Sequence, residues 1–144
     1  MSTSRLPAGA SCLQPSKALR ILVAEDDEIQ QKILTHVLAP LHFELAIVAD
    51  GRAALELLDC EPFDLIVMDE QMARMNGLSA VREIRQREKM TNAKRLPIVM
   101  LSAHASARQR AAALDAGADA HAAKPINPET LINEILQLAK QGRE

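Results

Sequence analysis

The chain contains 144 residues, of which 48% are hydrophobic, and its 17 basic and 19 acidic side chains give a formal net charge of −2. This length suits a single domain whose core is large enough to fold without a metal ion or a disulfide. The balanced charge and the lack of a long basic run argue against nucleic acid as a partner. Two Phe, no Trp and no Tyr also leave little aromatic surface for stacking on bases or sugars.

The cysteines and the hydrophobic pattern indicate the compartment. Cys12 and Cys60 lie far apart and form no C-x-x-C motif, which predicts free thiols in a reducing compartment, with one disulfide between them as the alternative. No apolar stretch approaches the roughly 20 residues needed to cross a bilayer. The N-terminus lacks the apolar block of a signal peptide. We therefore expect a cytoplasmic domain that makes no membrane contact.

Two regions differ in composition. Residues 1–16, MSTSRLPAGASCLQPS, are rich in Ser, Pro, Ala and Gly and predict a disordered leader or a linker. Residues 17–144 alternate between short apolar runs and segments of helical period, which predicts one folded domain. The runs are continuous rather than alternating, as in strands buried on both faces. They occupy residues 21–24, 45–48, 65–68 and 98–101, with a weaker fifth candidate at 118–123.

Helical segments follow each of these runs. Apolar stripes cover residues 29–38, 78–84 and 131–138, and residues 52–60 and 106–116 are rich in Ala and Leu. Asn127 is placed to cap the last helix, and Asp27 is expected as an acid at a helix N-terminus, with metal ligation as its alternative role. Arg82, Arg85 and Arg87 are expected on a solvated helix face. The repeated strand-then-helix order predicts an α/β fold, with a parallel sheet covered by helices on both sides.

Polar and charged side chains follow four of the predicted strands. Strand one runs into Glu25 and Asp26, strand three into Asp69, strand four into Ser102 and strand five into Lys124. The carboxyl ends of parallel strands share one edge of the sheet, where ligands bind. Three acids at this edge would repel one another without a compensating cation. An oxygen-only ligand set, with no His or Cys at metal-binding spacing, predicts a hard cation such as Mg²⁺.

The hydroxyl and the ammonium group indicate a second ligand. Lys124 could simply neutralise the acids, or it could bind an anion beside the metal. Ser102 favours the second interpretation, because a hydroxyl next to an ammonium suits the oxygens of a phosphoryl group. Asp69 is then the candidate nucleophile, since a carboxylate that attacks phosphorus forms an acyl phosphate.

Four stretches together resemble the receiver domain of two-component response regulators. They are ILVAEDDE, DLIVMDEQMARMNG, PIVMLSAHA and GADAHAAKPI, within about residues 17–139. EDDEIQQ and LSAHA are most similar to receivers of hybrid histidine kinases, although single-domain response regulators share these features. The resemblance implies a flavodoxin-like, CheY-like doubly wound sheet of five parallel strands in the order 2-1-3-4-5, with five helices.

The resemblance also implies roles for the residues around the acids. A phosphohistidine donor would phosphorylate Asp69. Mg²⁺ would be held by Asp26, Asp69 and the backbone carbonyl of Gln71, with Glu25 acting through water. Gln71 is also expected, with His104, to tune the lifetime of the acyl phosphate.

The switch positions follow from the same likeness. Ser102 occupies the switch Ser/Thr position, and Lys124 is expected to contact the phosphoryl group and to precede Pro125 through a cis peptide bond. His121 stands where many family members carry an aromatic switch residue, and Ala73 replaces a usual Pro. We therefore expect the coupling between Ser102 and the switch position to differ from that with a Tyr or Phe.

The implied function is phosphoryl acceptance in a phosphorelay. We expect a sensor histidine kinase or a histidine phosphotransfer protein as partner, and a downstream protein that binds helix 4, strand 5 and helix 5. The domain would catalyse only its own phosphorylation and dephosphorylation, without turnover of a separate substrate. No output domain is expected after residue 144, so the chain would be a single-domain receiver or a piece of a hybrid kinase.

Three other functions are compatible with parts of this pattern. A degenerate receiver, which binds partners without being phosphorylated, is the main alternative, although the acidic, Ser and Lys residues are all present. A nucleotide-binding module would need Gly-rich turns, and the five glycines form no such motif. Phosphatases with an Asp nucleophile commonly have a second Asp two residues later, where this chain has Gln71.

Overall fold

Strands and helices alternate along the computed structural model, which describes residues 19–72, 75–103 and 106–143. The predicted leader or linker at 1–16 lies outside the described residues. Within them, no helix combines the length and the apolar character needed to cross a membrane. The elements are β1 (Arg20–Ala24), α1 (Glu28–Leu38), β2 (Glu44–Val48), α2 (Gly51–Cys60), β3 (Leu65–Asp69), α3 (Gly77–Thr91), β4 (Ile98–Ser102), α4 (Ala107–Ala116), β5 (Ala120–Ala123) and α5 (Pro128–Arg143).

The five strands form one parallel sheet in the order β2-β1-β3-β4-β5. This order confirms the predicted doubly wound fold, including the weak fifth strand. The chain moves outward from β1 to β2, returns past β1 to β3, and then continues to β4 and β5. The direction reverses between β1 and β3, and the acids predicted to act together follow these two strands.

A hydrophobic core covers each face of the sheet, which explains why the strand sequences do not alternate. Met68 and Met100 belong to the cluster that packs with residues of α2, α3 and α4. Val67 and Leu101 belong to the cluster on the opposite face, with residues of α1 and α5. All five residues of β3 and of β4 are buried. Full burial of one large aliphatic side chain contributes roughly 1.5–3 kcal/mol.

Short polar side chains fix where the helices begin. Asp27, Asp50, Asn76 and Ser106 each accept a hydrogen bond from a backbone amide two or three residues later, at the starts of α1 to α4. Asn127 does the same at the start of α5, where its Oδ1 lies 3.1 Å from the amide nitrogen of Thr130. The predicted capping role of Asn127 is therefore confirmed, and Asp27, predicted as an acid at a helix N-terminus, is found as the cap of α1.

The prediction that Arg85 lies on a solvated face of α3 is wrong, because its side chain is only 13% exposed. Its guanidinium donates hydrogen bonds to the carbonyl oxygens of Gly117 (2.9 Å) and Leu96 (2.8 Å). It also contacts the carboxylates of Glu88 (2.9 Å) and Asp119 (2.8 Å). Five donors in one planar group can bind several loops at once. Arg85 therefore connects α3 to the segments that precede β4 and β5.

Replacing Arg85 with Ala should destabilise the protein by about 3 kcal/mol, because it removes a partly buried cation that is bonded to two carboxylates and two carbonyl groups. Urea unfolding followed by circular dichroism would measure the change. Arg82, which is exposed on the same helix, provides the matched control, and Arg82→Ala should change stability by less than about 0.5 kcal/mol. Equal effects of the two substitutions would contradict the structural role of Arg85.

Candidate functional site

Three carboxylates meet at the carboxyl edge of the sheet. Glu25 and Asp26 directly follow β1, and Asp69 is the last residue of β3, which pairs with β1. Each of the three offers an oxygen within 4.8 Å of the oxygens of the other two. Glu25 is 1% exposed and Asp69 is 3% exposed, whereas Asp26 is exposed. The topology thus places two of these acids in a nearly dry environment and leaves the third open to solvent.

Lys124 completes the cluster from the far side of β4. Its Nζ lies 3.1 Å from Oε1 of Glu25 and 3.1 Å from Oδ1 of Asp69. Its backbone amide donates to the carbonyl oxygen of Ser102 (2.8 Å), which joins the ends of β4 and β5. The peptide bond between Lys124 and Pro125 is cis, as the resemblance implies. One amine therefore contacts acids at the carboxyl ends of two other strands.

The acids and the amine change one another's protonation. Burial, together with the hydrogen bond and the negative charge of Asp69, raises the pKa of Glu25 to about 7, against the opposing hydrogen bonds from Lys124 and from the amide of Asp27. Burial tends to lower the pKa of Lys124, but hydrogen bonds to Asp69 and Glu25 outweigh it, so that pKa is raised. Lys124 therefore remains an ammonium. A single ammonium does not fully compensate the negative charge of the cluster.

The donor atoms of this cluster fit a hard divalent cation. Among the described residues the group consists of carboxylates only, with no His or Cys. Asp26 and Gln71 also line an open cavity of about 530 Å³ beside it. Mg²⁺ prefers one or two carboxylates together with carbonyl oxygens and water. Uncompensated charge, oxygen donors and open space are thus found together at the predicted metal site.

The other predicted residues lie around this cluster. Ser102 ends β4 and is 2% exposed, and Gln71 is exposed after β3. His121, on β5, is 6% exposed, and burial is the main reason why its pKa is lowered. His104, predicted to tune the acyl phosphate, lies outside the described residues, as does Ala73. The structure therefore places Ser102 and Gln71 at the same sheet edge as the acids.

The sequence interpretation missed Gly77, the first residue of α3. Its amide donates to the carbonyl oxygen of Glu70 (2.8 Å), which closes the loop after β3. A Cβ atom at Gly77 would lie 2.8 Å from Cα of Glu70, closer than such contacts allow. The Asn76-Gly77 pair is a turn signal visible in the sequence. This glycine lets α3 begin directly against the backbone that carries Asp69.

The raised pKa of Glu25 predicts how stability depends on pH without metal. The pKa rises from 4.5 to about 7 on folding, so the folded state holds this proton more tightly. The associated stability is fully present below pH 4.5 and is lost as the pH rises through about 7. Urea unfolding in a chelator should therefore show wild-type stability falling over this range relative to Glu25→Gln. Parallel pH profiles of the two proteins would contradict the shift.

Comparison with known proteins identifies the family of this sheet and its acidic edge. The model of the response regulator receiver domain matches residues 21–136. Sensor histidine kinase GacS of Pseudomonas protegens is 36% identical over 134 residues, which cover 90% of this chain and 15% of GacS. Response regulator MprA of Mycolicibacterium vanbaalenii is 34% identical over 123 residues, covering 85% of this chain and 51% of MprA. The chain thus spans only part of these relatives.

Solved receiver domains have the same fold. The receiver domain of Francisella response regulator 1452 superposes with a TM-score of 0.78 at 27% identity, covering 85% of this chain and 98% of the other. The receiver domain of a Pseudomonas aeruginosa sensor histidine kinase, solved with a magnesium ion coordinated in its active site cleft, gives 0.77 at 31% identity, with 86% and 99% coverage. The chain described here therefore belongs to the response regulator receiver domain family of two-component signal transduction.

Proposed function

We propose that this chain accepts a phosphoryl group on Asp69 from a phosphohistidine donor. The carrying observation is the contact between Asp69 Oδ1 and Lys124 Nζ, at 3.1 Å, in an environment where Asp69 is only 3% exposed. An ammonium at this distance compensates part of the negative charge at the site and holds the attacking carboxylate in place. The family of this chain and its similarity to histidine kinases support a phosphohistidine as the donor.

The transfer requires only positioning and charge compensation. An oxygen of the Asp69 carboxylate attacks phosphorus, and the new P–O bond forms as the P–N bond to the donor imidazole breaks. The electron pair of that P–N bond stays on the imidazole nitrogen, which takes up a proton from solvent. The Lys124 ammonium and the Ser102 hydroxyl then donate to the phosphoryl oxygens, which carry the developing negative charge.

Mg²⁺ fits beside these groups. The carboxylates of Asp26 and Asp69 and the backbone carbonyl of Gln71 would hold it, with Glu25 acting through water. When bound, it supplies the positive charge that a single lysine does not provide. Glu25 is already held by Lys124 and by the amide of Asp27, 3.2 Å from Oε2. Hydrolysis of the acyl phosphate would return the domain to its starting state without turnover of a separate substrate.

The donor would approach from the side of α1. Ile29 is 67% exposed and Ile33 is 39% exposed, one helical turn apart, and α1 begins two residues after Asp26. Apolar side chains on the solvent face beside a charged site are suited to contact with another protein. The partner that would present its phosphohistidine here is a sensor histidine kinase or a histidine phosphotransfer protein.

Treatment with acetyl phosphate or phosphoramidate, followed by intact mass measurement, tests the acceptor. With Mg²⁺ the wild type should gain one phosphate, and Asp69→Asn should gain none, because an amide is a poor nucleophile for phosphorus. Asp115→Asn removes an exposed acid on α4 and should leave the gain unchanged. An equal gain in Asp69→Asn would refute the assignment. A wild type that gains no phosphate from either donor would favour the degenerate receiver.

Phosphorylation should alter the face formed by α4, β5 and α5. The new group adds about two negative charges, and both Ser102 and Lys124 would move toward it. Because the Lys124 amide is bonded to the Ser102 carbonyl, the ends of β4 and β5 would move together. The buried residues of α4 are two alanines, Ala113 and Ala116, so little apolar area opposes a shift of this helix. A downstream protein would read this face.

Amide NMR spectra test the proposed output face. Addition of Mg²⁺ and beryllofluoride, a phosphoryl mimic, should shift the resonances of residues 102–123 more than those of α2. The reason is that α2 packs on β1 and β2, away from β4 and β5. Unchanged resonances at 102–123 in a sample that binds the mimic would exclude this output face.

A further inference from the structure

Two buried polar atoms in the described part of the chain have no hydrogen-bond partner, and they belong to Glu70 and His121. They are Oε1 of Glu70 and Nε2 of His121. Burying such atoms without a partner is unfavourable. The two are chemically complementary, because a carboxylate oxygen accepts a hydrogen bond and an imidazole nitrogen can donate one.

The sheet places these side chains on the same face. Met68 and Met100 are paired neighbours on β3 and β4, and both lie in the core beneath α2, α3 and α4. Side chains alternate along a strand, so Ser102, two residues after Met100, projects to that face. Glu70 directly follows β3 and continues its pairing with β4, because its amide donates to the carbonyl oxygen of Leu101 (2.8 Å), and its side chain projects to the same face. His121 on β5 is the register partner of Met100 and also projects there. Ser102 therefore stands on the strand between Glu70 and His121.

Electrostatics favour an approach of the two groups. Burial and the positive charge of Arg110 lower the pKa of His121, whereas the negative charge of Glu70 opposes them. The imidazole is therefore neutral at neutral pH and attracted to the Glu70 carboxylate. A neutral imidazole with its proton on Nε2 can donate to that carboxylate, so the bond requires no uptake of a proton.

We propose that Glu70 is the positioning residue for His121 in the phosphorylated domain: as Ser102 moves toward the phosphoryl group, Nε2–H of His121 donates to Oε1 of Glu70. The inference rests on the proposed function, because phosphorylation of Asp69 is what moves Ser102. The bond gives a partner to both unpaired atoms, Oε1 of Glu70 and Nε2 of His121, and connects β5 to the end of β3 across β4. In this chain, a hydrogen bond from His121 to Glu70, the residue directly after the phosphoacceptor, would replace the apolar contact that a Tyr or Phe makes at the switch position.

Imidazole NMR of 15N-labelled protein tests the bond directly. On addition of Mg²⁺ and beryllofluoride, the wild type should show His121 shifting to the Nε2–H tautomer with a slowly exchanging ring proton. Glu70→Leu removes the acceptor and should abolish this signature, whereas Glu70→Gln keeps an acceptor oxygen and should restore part of it. Glu56→Leu, an exposed position on α2, should behave as the wild type.

The apparent affinity for beryllofluoride provides a second readout. It should weaken about tenfold in Glu70→Leu, as expected when one hydrogen bond to a charged group is lost from the liganded state only. His121→Leu, which removes the donor without introducing an aromatic ring, should weaken it similarly, and the double variant should lose no more than either single one, because the two side chains act through one bond. Additive losses in this cycle would overturn the pairing.

The outcomes separate this inference from the proposed function. Intact mass after acetyl phosphate treatment is measured on each sample. A wild type that takes up phosphate while the His121 tautomer and ring-proton exchange stay unchanged overturns the Glu70–His121 bond and leaves the acceptor role intact. A wild type that takes up no phosphate overturns both. If Glu70→Leu unfolds, the comparison is made with Glu70→Gln and His121→Leu.

Discussion

The site is organised by one ammonium group that contacts two buried carboxylates. Lys124 lies 3.1 Å from Glu25 and 3.1 Å from Asp69, although 99 positions separate Lys124 from Glu25 along the chain. Two buried acids without this compensation would be costly. The ends of β1, β3 and β5 must therefore stay close, and the order β2-β1-β3-β4-β5 provides this by placing β4 alone between the amine and Asp69. The sheet and its charged edge depend on each other.

The single positive charge of Lys124 leaves part of the negative charge of the acids uncompensated, and the proposed function depends on this excess charge. Burial and the charge of Asp69 raise the pKa of Glu25 even with Lys124 present. A site with excess negative charge favours the binding of a divalent cation. Once the cation is bound, the site favours an anion that contacts the cation. The loop geometry serves the same purpose, because Gly77 lets α3 start against the backbone beside Asp69. In the proposed function, the phosphoryl group supplies the anion and the movement of Ser102 transmits its arrival.

Much of this architecture could be predicted from the sequence, because the relevant patterns are local. Continuous apolar runs predicted the strands, and the chemistry at their ends predicted which side chains share an edge. The predicted burial on both faces holds for β1, β3 and β4 but is wrong for the edge strand β2, none of whose residues is buried. The prediction was wrong for Arg85, where acidic and basic residues alternating along α3 suggested a solvated face. Its guanidinium instead reaches the loops before β4 and β5, near Leu96 and Gly117. The spacing of residues along a helix gives the relative angles of their side chains. It does not show which carbonyl groups of other segments lie within reach of a given side chain.

The sequence by itself determined the order of the elements, the helix caps such as Asp27 and Asn127, and the set of acids, hydroxyl and amine at one edge. Only the tertiary structure decided that Glu25 is buried and bonded to Lys124 while Asp26 faces solvent, and that Glu70 and His121 each bury an unpaired atom. The physical reason is the range of the interactions. Propensity, capping and periodicity act between residues close in the chain, whereas desolvation and charge compensation depend on which distant segments pack together.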